Sequence, residues 1–146
     1  MFRSSRALVI LFSLSVLTAG CGGDSGTSPS PSSGAAYSQT DLRVGTGAEA
    51  TTGRAATVHY TLWLYDAGRA ETKGTQIETS VGGQPFTFTV GARQVIAGWD
   101  RGVPGMRVGG QRRLILPPDQ AYGSQANGRI PGNSTLVFDI ELVAVP

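Results

Sequence analysis

For acid/base, nucleophilic or metal chemistry this 146-residue sequence offers one histidine, one cysteine and ten acidic residues. A lone Cys and a lone His exclude an internal disulfide, a paired-cysteine redox motif and a soft-ligand metal cluster, and with the cysteine at position 21, beside the leading segment, Cys/His catalysis drops out as well. His59 falls in a strand whose immediate neighbours point the opposite way, and no two acids have a spacing that sets them across one substrate, so His59 is read as structural or solvent-facing. What the sequence holds instead is aromatic side chains beyond the apparent needs of a small core: Tyr60, Phe86, Phe88, Trp99, Tyr122 and Phe138. These can simply fill a core. Yet Trp99 heads a glycine-interrupted helix, and Tyr122 sits in a loop beyond the Pro117-Pro118 strand stop, positions better suited to lining a cavity than to filling one.

The elements that must position these rings are mostly strands. Val58, Tyr60, Leu62 and Leu64 alternate with His59, Thr61, Trp63 and Tyr65 over 57–65, a period of two. Phe86, Phe88 and Val90 alternate with Thr87 and Thr89, and Leu136, Phe138, Ile140 and Leu142 with Asp139 and Glu141. A further strand is expected over 107–116, ending at Pro117-Pro118. Only 96–103 reads as helix, broken by Gly98 and Gly102 and closed by Pro104-Gly105. Glycine-rich loops are expected at 67–75 and 122–133. The fold class is therefore α+β, an antiparallel sheet wrapped over one short helix.

Charge adds little. The chain carries 12 basic and 10 acidic residues, but Arg3 and Arg6 lie in the leading segment, and without residues 1–20 the two signs balance. The basic pI of about 9.0 is thus no sign of a nucleic-acid partner, and Arg112-Arg113 is read as a solvated pair on a strand. Residues 1–20 show a basic start, an apolar run from Ala7 to Leu17 and small residues at Thr18, Ala19 and Gly20, the pattern of an export signal. A run of eleven residues is too short for a lasting membrane span. Leu17-Thr18-Ala19-Gly20-Cys21 resembles the lipobox of bacterial lipoproteins, which implies lipidation at Cys21, with Leu one place further upstream than is usual. Residues 21–39, almost wholly Gly, Ser, Pro, Thr and Ala, read as a tether that would hold the folded domain, 40–146, about 20 to 25 Å from a membrane. The expected location is the cell envelope or periplasm, with the outer membrane favoured because Gly22 rather than an acid follows the cysteine.

Five motifs stand in order: Val58-His59-Tyr60-Thr61; Gln84-Pro85-Phe86-Thr87-Phe88; Val95-Ile96-Ala97-Gly98-Trp99-Asp100-Arg101-Gly102-Val103; Ala121-Tyr122-Gly123; and the run from Ile130-Pro131-Gly132 to Asp139-Ile140-Glu141-Leu142. Together they resemble the FKBP-type peptidyl-prolyl cis/trans isomerases over about 41–145. The resemblance implies that Trp99 floors a proline pocket walled by Tyr60, Ile77, Phe86, Val95, Ile96, Tyr122, Ile130 and Phe138. It also implies that the Ile96 N–H and the Tyr122 hydroxyl hold substrate carbonyls, and that Tyr60, Glu78, Trp99 and Tyr122 carry the catalysis. Glu78 replaces the family's Asp and Ile77 its Phe; Leu62 stands where Gly is usual, and Arg129 puts a charge at the rim where an apolar residue is common. The implied activity is isomerisation of X-Pro bonds in unfolded or flexible envelope proteins, by a monomer without cofactor or metal. Macrolide inhibitors are a second ligand class that the family brings. The alternative is a proline-segment binding or chaperone module that uses the same pocket without turnover.

Overall fold

The computed structural model describes residues 34–146, so the export signal, Cys21 and most of the tether lie outside the described residues. The elements run β1 (Ser38–Arg43), β2 (Ala55–Tyr65), β3 (Lys73–Thr79), β4 (Phe86–Thr89), α1 (Ala97–Gly102), β5 (Gln111–Leu116) and β6 (Leu136–Ala144). All pairings are antiparallel, in the order β1-β5-β6-β2-β3, with β4 added to the first half of β2. The α+β expectation of a sheet wrapped over one short helix is what the chain adopts.

Alternation sets which face is covered. On β6, Leu136, Phe138, Ile140 and Leu142 are buried while Asp139 and Glu141 point outward. On β5, Leu114 and Leu116 face the same core, and on β2 Val58 and Leu62 do. Each such side chain contributes about 1.5–3 kcal/mol by leaving water, which is why the period-two signal dominates the sequence. Strand β1 and most of β3 escape that signal because both lie at sheet edges and neither carries a buried residue. The stretch expected as a loop over 67–75 accordingly passes through a short turn into β3 at Lys73. β1 opens at Ser38, inside the segment that composition alone assigns to the tether, and Tyr37 just before it is capped by Arg101, whose guanidinium carbon lies 3.8 Å from the ring centroid.

The glycines of α1 are contact points. A Cβ on Gly98 would stand 2.4 Å from a Leu116 methyl, and one on Gly102 2.6 Å from a Leu114 methyl. The helix backbone therefore lies directly on β5, closer than any side chain would permit, and this holds Trp99 against the concave face of the sheet.

Arg112 and Arg113 are not the solvated pair expected. Successive residues of β5 point to opposite faces, and each guanidinium finds an acid. Arg112, 8% exposed, turns inward: its Nε and Nη2 bond the two Asp41 carboxylate oxygens, and its Nη1 donates to the carbonyls of Gly102 (2.8 Å) and Pro104 (3.2 Å). It thereby supplies donors to carbonyls that the end of a helix leaves without partners. Arg113 turns outward and grips Asp139 through two bonds of 2.7 and 2.9 Å, while Lys73 Nζ reaches the same carboxylate at 2.7 Å and Glu71 at 2.9 Å. Burial pushes the Asp139 carboxyl up, but the hydrogen bonds and charges of Arg113 and Lys73 outweigh it and hold the group below the usual carboxylate range.

Candidate active site

Between α1 and the concave face of the sheet lies a cavity of about 400 Å³, lined by Tyr60, Leu62, Glu78, Phe86, Gln94, Val95, Ile96, Trp99, Tyr122 and Phe138. Its floor is Trp99, 4% exposed. The indole packs edge-on against Tyr60 (5.2 Å between centroids), Phe138 (5.5 Å) and Phe86 (6.1 Å), and at a tilt against Phe88 (5.5 Å). Edge-to-face contacts of this kind add about 0.5–1.5 kcal/mol each beyond simple burial, so the floor is rigid. The indole Nε1 is fully covered and has no hydrogen-bond acceptor among the described residues. Trp99 therefore shows the cavity carbon and no donor.

The rim is polar at chosen points. The Tyr60 hydroxyl donates to Glu78 Oε1 at 2.8 Å, which fixes the ring as a wall. Burial, then the hydrogen bond and charge of Glu78, push the Tyr60 phenol up to about 12. Burial and Glu78 also raise the Tyr122 phenol. Both phenols thus remain protonated donors at any physiological pH. Among the described residues no acceptor takes the Tyr122 hydroxyl or the Ile96 N–H, leaving two donors available at the cavity for a ligand's carbonyl oxygens. Ile96 is held there by its place as the residue before α1, with its own carbonyl accepting from Trp99 N at 2.9 Å. The approach to α1 is pinned by Asp100, whose two carboxylate oxygens accept from Gly91 N (3.0 Å) and Arg93 N (2.8 Å). Gln94 Oε1 adds a third bond, from Thr89 N at 2.9 Å.

The structure brings Tyr60, Glu78, Phe86, Val95, Ile96, Trp99, Tyr122 and Phe138 to this one cavity, but not Ile77 or Ile130. Those two line a neighbouring cavity of about 250 Å³ with Glu78, Tyr122, Asn127, Gly128 and Arg129. A β-bulge lies beside Glu78: Leu62 pairs with Glu78 but Trp63 with Gln76, so Ile77 is the extra residue, and it packs half-buried against the same hydrophobic cluster as Trp99. Ile130, 6% exposed, forms a tight backbone bridge with Asn127 and belongs to the core cluster that holds Trp99. Gln94 and Asp100 were not singled out from the sequence. Both act through backbone groups several residues away, and the only legible trace was an acid one place after Trp99. His59, on the outer face of β2, lies 3.2 Å from Ser80 Oγ and does not reach the cavity.

A greasy cavity with two free donors, two neutral phenols and no proton-transfer pair can bind and distort a planar amide without making or breaking a covalent bond. The model of the family described as FKBP-type peptidyl-prolyl cis-trans isomerase matches residues 47–143. An FK506-binding protein of Neisseria meningitidis serogroup A is 45% identical over 107 residues, covering 72% of this chain and 92% of that protein. FK506-binding protein 2 of Dictyostelium discoideum is 48% identical over 90 residues, 60% of this chain and 62% of that one. Among solved structures, AtFKBP13 matches with a TM-score of 0.64 at 35% identity, over 75% of this chain and 93% of that chain. FkpA from Escherichia coli matches at 0.63 and 33%, over 75% and 47%. An aromatic cavity with its donors in place, inside a body that the family's own pattern spans almost from end to end, makes this chain a member of the FKBP-type peptidyl-prolyl cis-trans isomerases.

Proposed function

We propose that the protein is an exported, lipid-anchored isomerase that speeds rotation about X-Pro bonds in unfolded or flexible segments of envelope proteins, with the prolyl ring seated on Trp99. The observation that carries the catalytic part is the 400 Å³ cavity closed by Tyr60, Phe86, Trp99 and Phe138, with the Ile96 N–H and Tyr122 hydroxyl free at its edge. Export and anchoring are supported by Arg3 and Arg6, the apolar run that follows, and the placement of Cys21 before a tether-like stretch. The names of the relatives, FK506-binding proteins, support the same cavity as the seat of FK506-type macrolides.

Amide resonance sets a barrier of about 18–20 kcal/mol to rotation, and an X-Pro bond left alone takes tens to hundreds of seconds to turn. Halfway round, resonance is broken: the carbonyl oxygen has given up negative charge and the lone pair is localised on nitrogen. The half-turned bond is the less polar state. A cavity whose floor shows only carbon replaces the water that favours the planar form, so the rotated bond is bound relatively better. The Tyr122 hydroxyl receives the carbonyl of the residue before proline, and the Ile96 N–H the carbonyl of the proline itself. Fixing both ends turns rotation into motion about one bond rather than tumbling of the whole peptide.

The test follows cis-to-trans relaxation of a proline peptide with a form of the protein beginning at Gly22. Acceleration over the uncatalysed rate is expected, with at least a tenfold loss in Trp99→Ala and most of the fold retained in Trp99→Phe. Absence of acceleration, or an undiminished rate in Trp99→Ala, overturns the assignment. The mass of the mature N-terminus tests the lipid at Cys21.

A further inference from the structure

Arg129 is the one side chain of the site whose charge the isomerisation itself does not use. It projects from the loop that follows Tyr122 and reaches across to β3. Its Nη2 donates to the carbonyl of Ile77 and, at 3.3 Å, to that of Gln76. These two consecutive carbonyls belong to the bulge described above, where the ladder with β2 is broken. Regular strand geometry would send adjacent carbonyls to opposite sides; the bulge lets one guanidinium nitrogen take both. Because the partners are neutral carbonyls, the positive charge stays uncompensated: among the described residues no carboxylate lies within ion-pair distance of Arg129.

Arg129 lines the second cavity, which adjoins the proline cavity across two shared walls, Glu78 and Tyr122. Its base is apolar, from Ile77 and Ile130, and its volume of about 250 Å³ accommodates one extended side chain. Glu78 brings the opposite charge to the same wall, but its Oε1 is held by the Tyr60 hydroxyl on the side of the proline cavity. Because Tyr122 lines both cavities, a peptide with its prolyl ring on Trp99 and the preceding carbonyl on Tyr122 has the residue before proline beside this second cavity.

We propose that Arg129 makes the second cavity a charge-reading subsite for the residue before proline, one that accepts an acidic side chain with an apolar stem, such as glutamate, in preference to a basic one. The inference rests on the peptide orientation given under the proposed function. Arg129 is a specificity residue and takes no part in rotating the bond.

The experiment compares kcat/KM for three peptides that differ only in the residue before proline, Glu, Leu or Lys, using the form that begins at Gly22. The Leu peptide reports the isomerase activity itself, so loss of the proposed function and loss of the proposed selectivity read differently. Glu over Lys is expected to be preferred by a factor of about two to five at low ionic strength, the range for partly solvated charge pairs, and the preference should shrink as salt is added. Arg129→Gln should bring the ratio to one or below while Arg129→Lys preserves it. Asn127→Asp sets an opposing charge in the same cavity without removing the Arg129 bonds, and should bring the ratio towards one even where Arg129→Gln disturbs the loop. An equal Glu/Lys ratio in the unaltered protein, or a ratio unmoved by both Arg129→Gln and Asn127→Asp, overturns the inference.

Discussion

Replacing Glu78 by Gln separates the two causes that hold the Tyr60 phenol at about 12. Burial is the larger cause, and the hydrogen bond and charge of Glu78 follow it. The amide of Gln still accepts the hydroxyl proton but carries no charge. In Glu78→Gln the phenol should therefore titrate below 12 yet remain above its ordinary 10.0. The linkage to stability has a definite sign. Below pH 10 both folded and unfolded chains keep the phenol neutral, and its contribution is fully present. Between 10 and about 12 the unfolded chain ionises first, and the contribution is lost. Two pKa units correspond to about 2.7 kcal/mol. Part of the ring faces solvent, and screening reduces that to about 1 kcal/mol. The assay is difference absorbance of phenolate across this range, with Tyr60→Phe identifying the transition, alongside urea unfolding at matched pH values. Tyr60→Phe, which removes the bond to Glu78 altogether, should also raise KM for an X-Pro peptide by a factor of about two to ten, the worth of one hydrogen bond. If the Tyr60 transition stays at about 12 in Glu78→Gln, the carboxylate does not act on the phenol; if it falls fully to 10, burial is not the larger cause.

Two further outcomes follow from the packing. Gly98→Ala should cost about 1–3 kcal/mol, since its methyl would overlap a Leu116 methyl; adding Leu116→Ala should recover part of that strain, visible in thermal melts as non-additivity. Asp139→Asn leaves Arg113 and Lys73 without their shared carboxylate but still facing Glu71, and should lower stability by about 1–2 kcal/mol near neutral pH. In the unaltered protein this contribution is present above the ordinary carboxylate range and is lost as pH falls through the depressed Asp139 value, so the two proteins should converge in urea midpoint as acid is added.

The core strands and most of the cavity were legible because each face of β2, β4 and β6 repeats with period two and ends at marked turns. Trp99, Phe86, Tyr122 and Phe138 could be placed from ordered motifs alone. The bulge at Ile77 could not: a single extra residue shifts the β2–β3 ladder, and no local pattern announces it in a strand as polar as 73–79. The role of the α1 glycines was equally hidden: in sequence Gly98 and Gly102 look like breaks, whereas in space they are where helix and sheet touch. Arg112 and Arg113 misled because adjacent basic residues usually face water. Their partners, Asp41 and Asp139, lie 71 and 26 residues away along the chain, a separation across which nothing short of the fold connects them.

The buried guanidinium of Arg112 also sets where this domain can be cut. The stretch matched by the family model begins at residue 47, which invites a shortened protein starting there. Such a trimming would discard Asp41 and strand an interior cation against two peptide oxygens at the helix end, with the whole edge of β5 laid bare. The stretch that the family model matches and the unit that closes around Arg112 are thus of different lengths, and anyone grafting this isomerase onto another polypeptide should join it ahead of Tyr37.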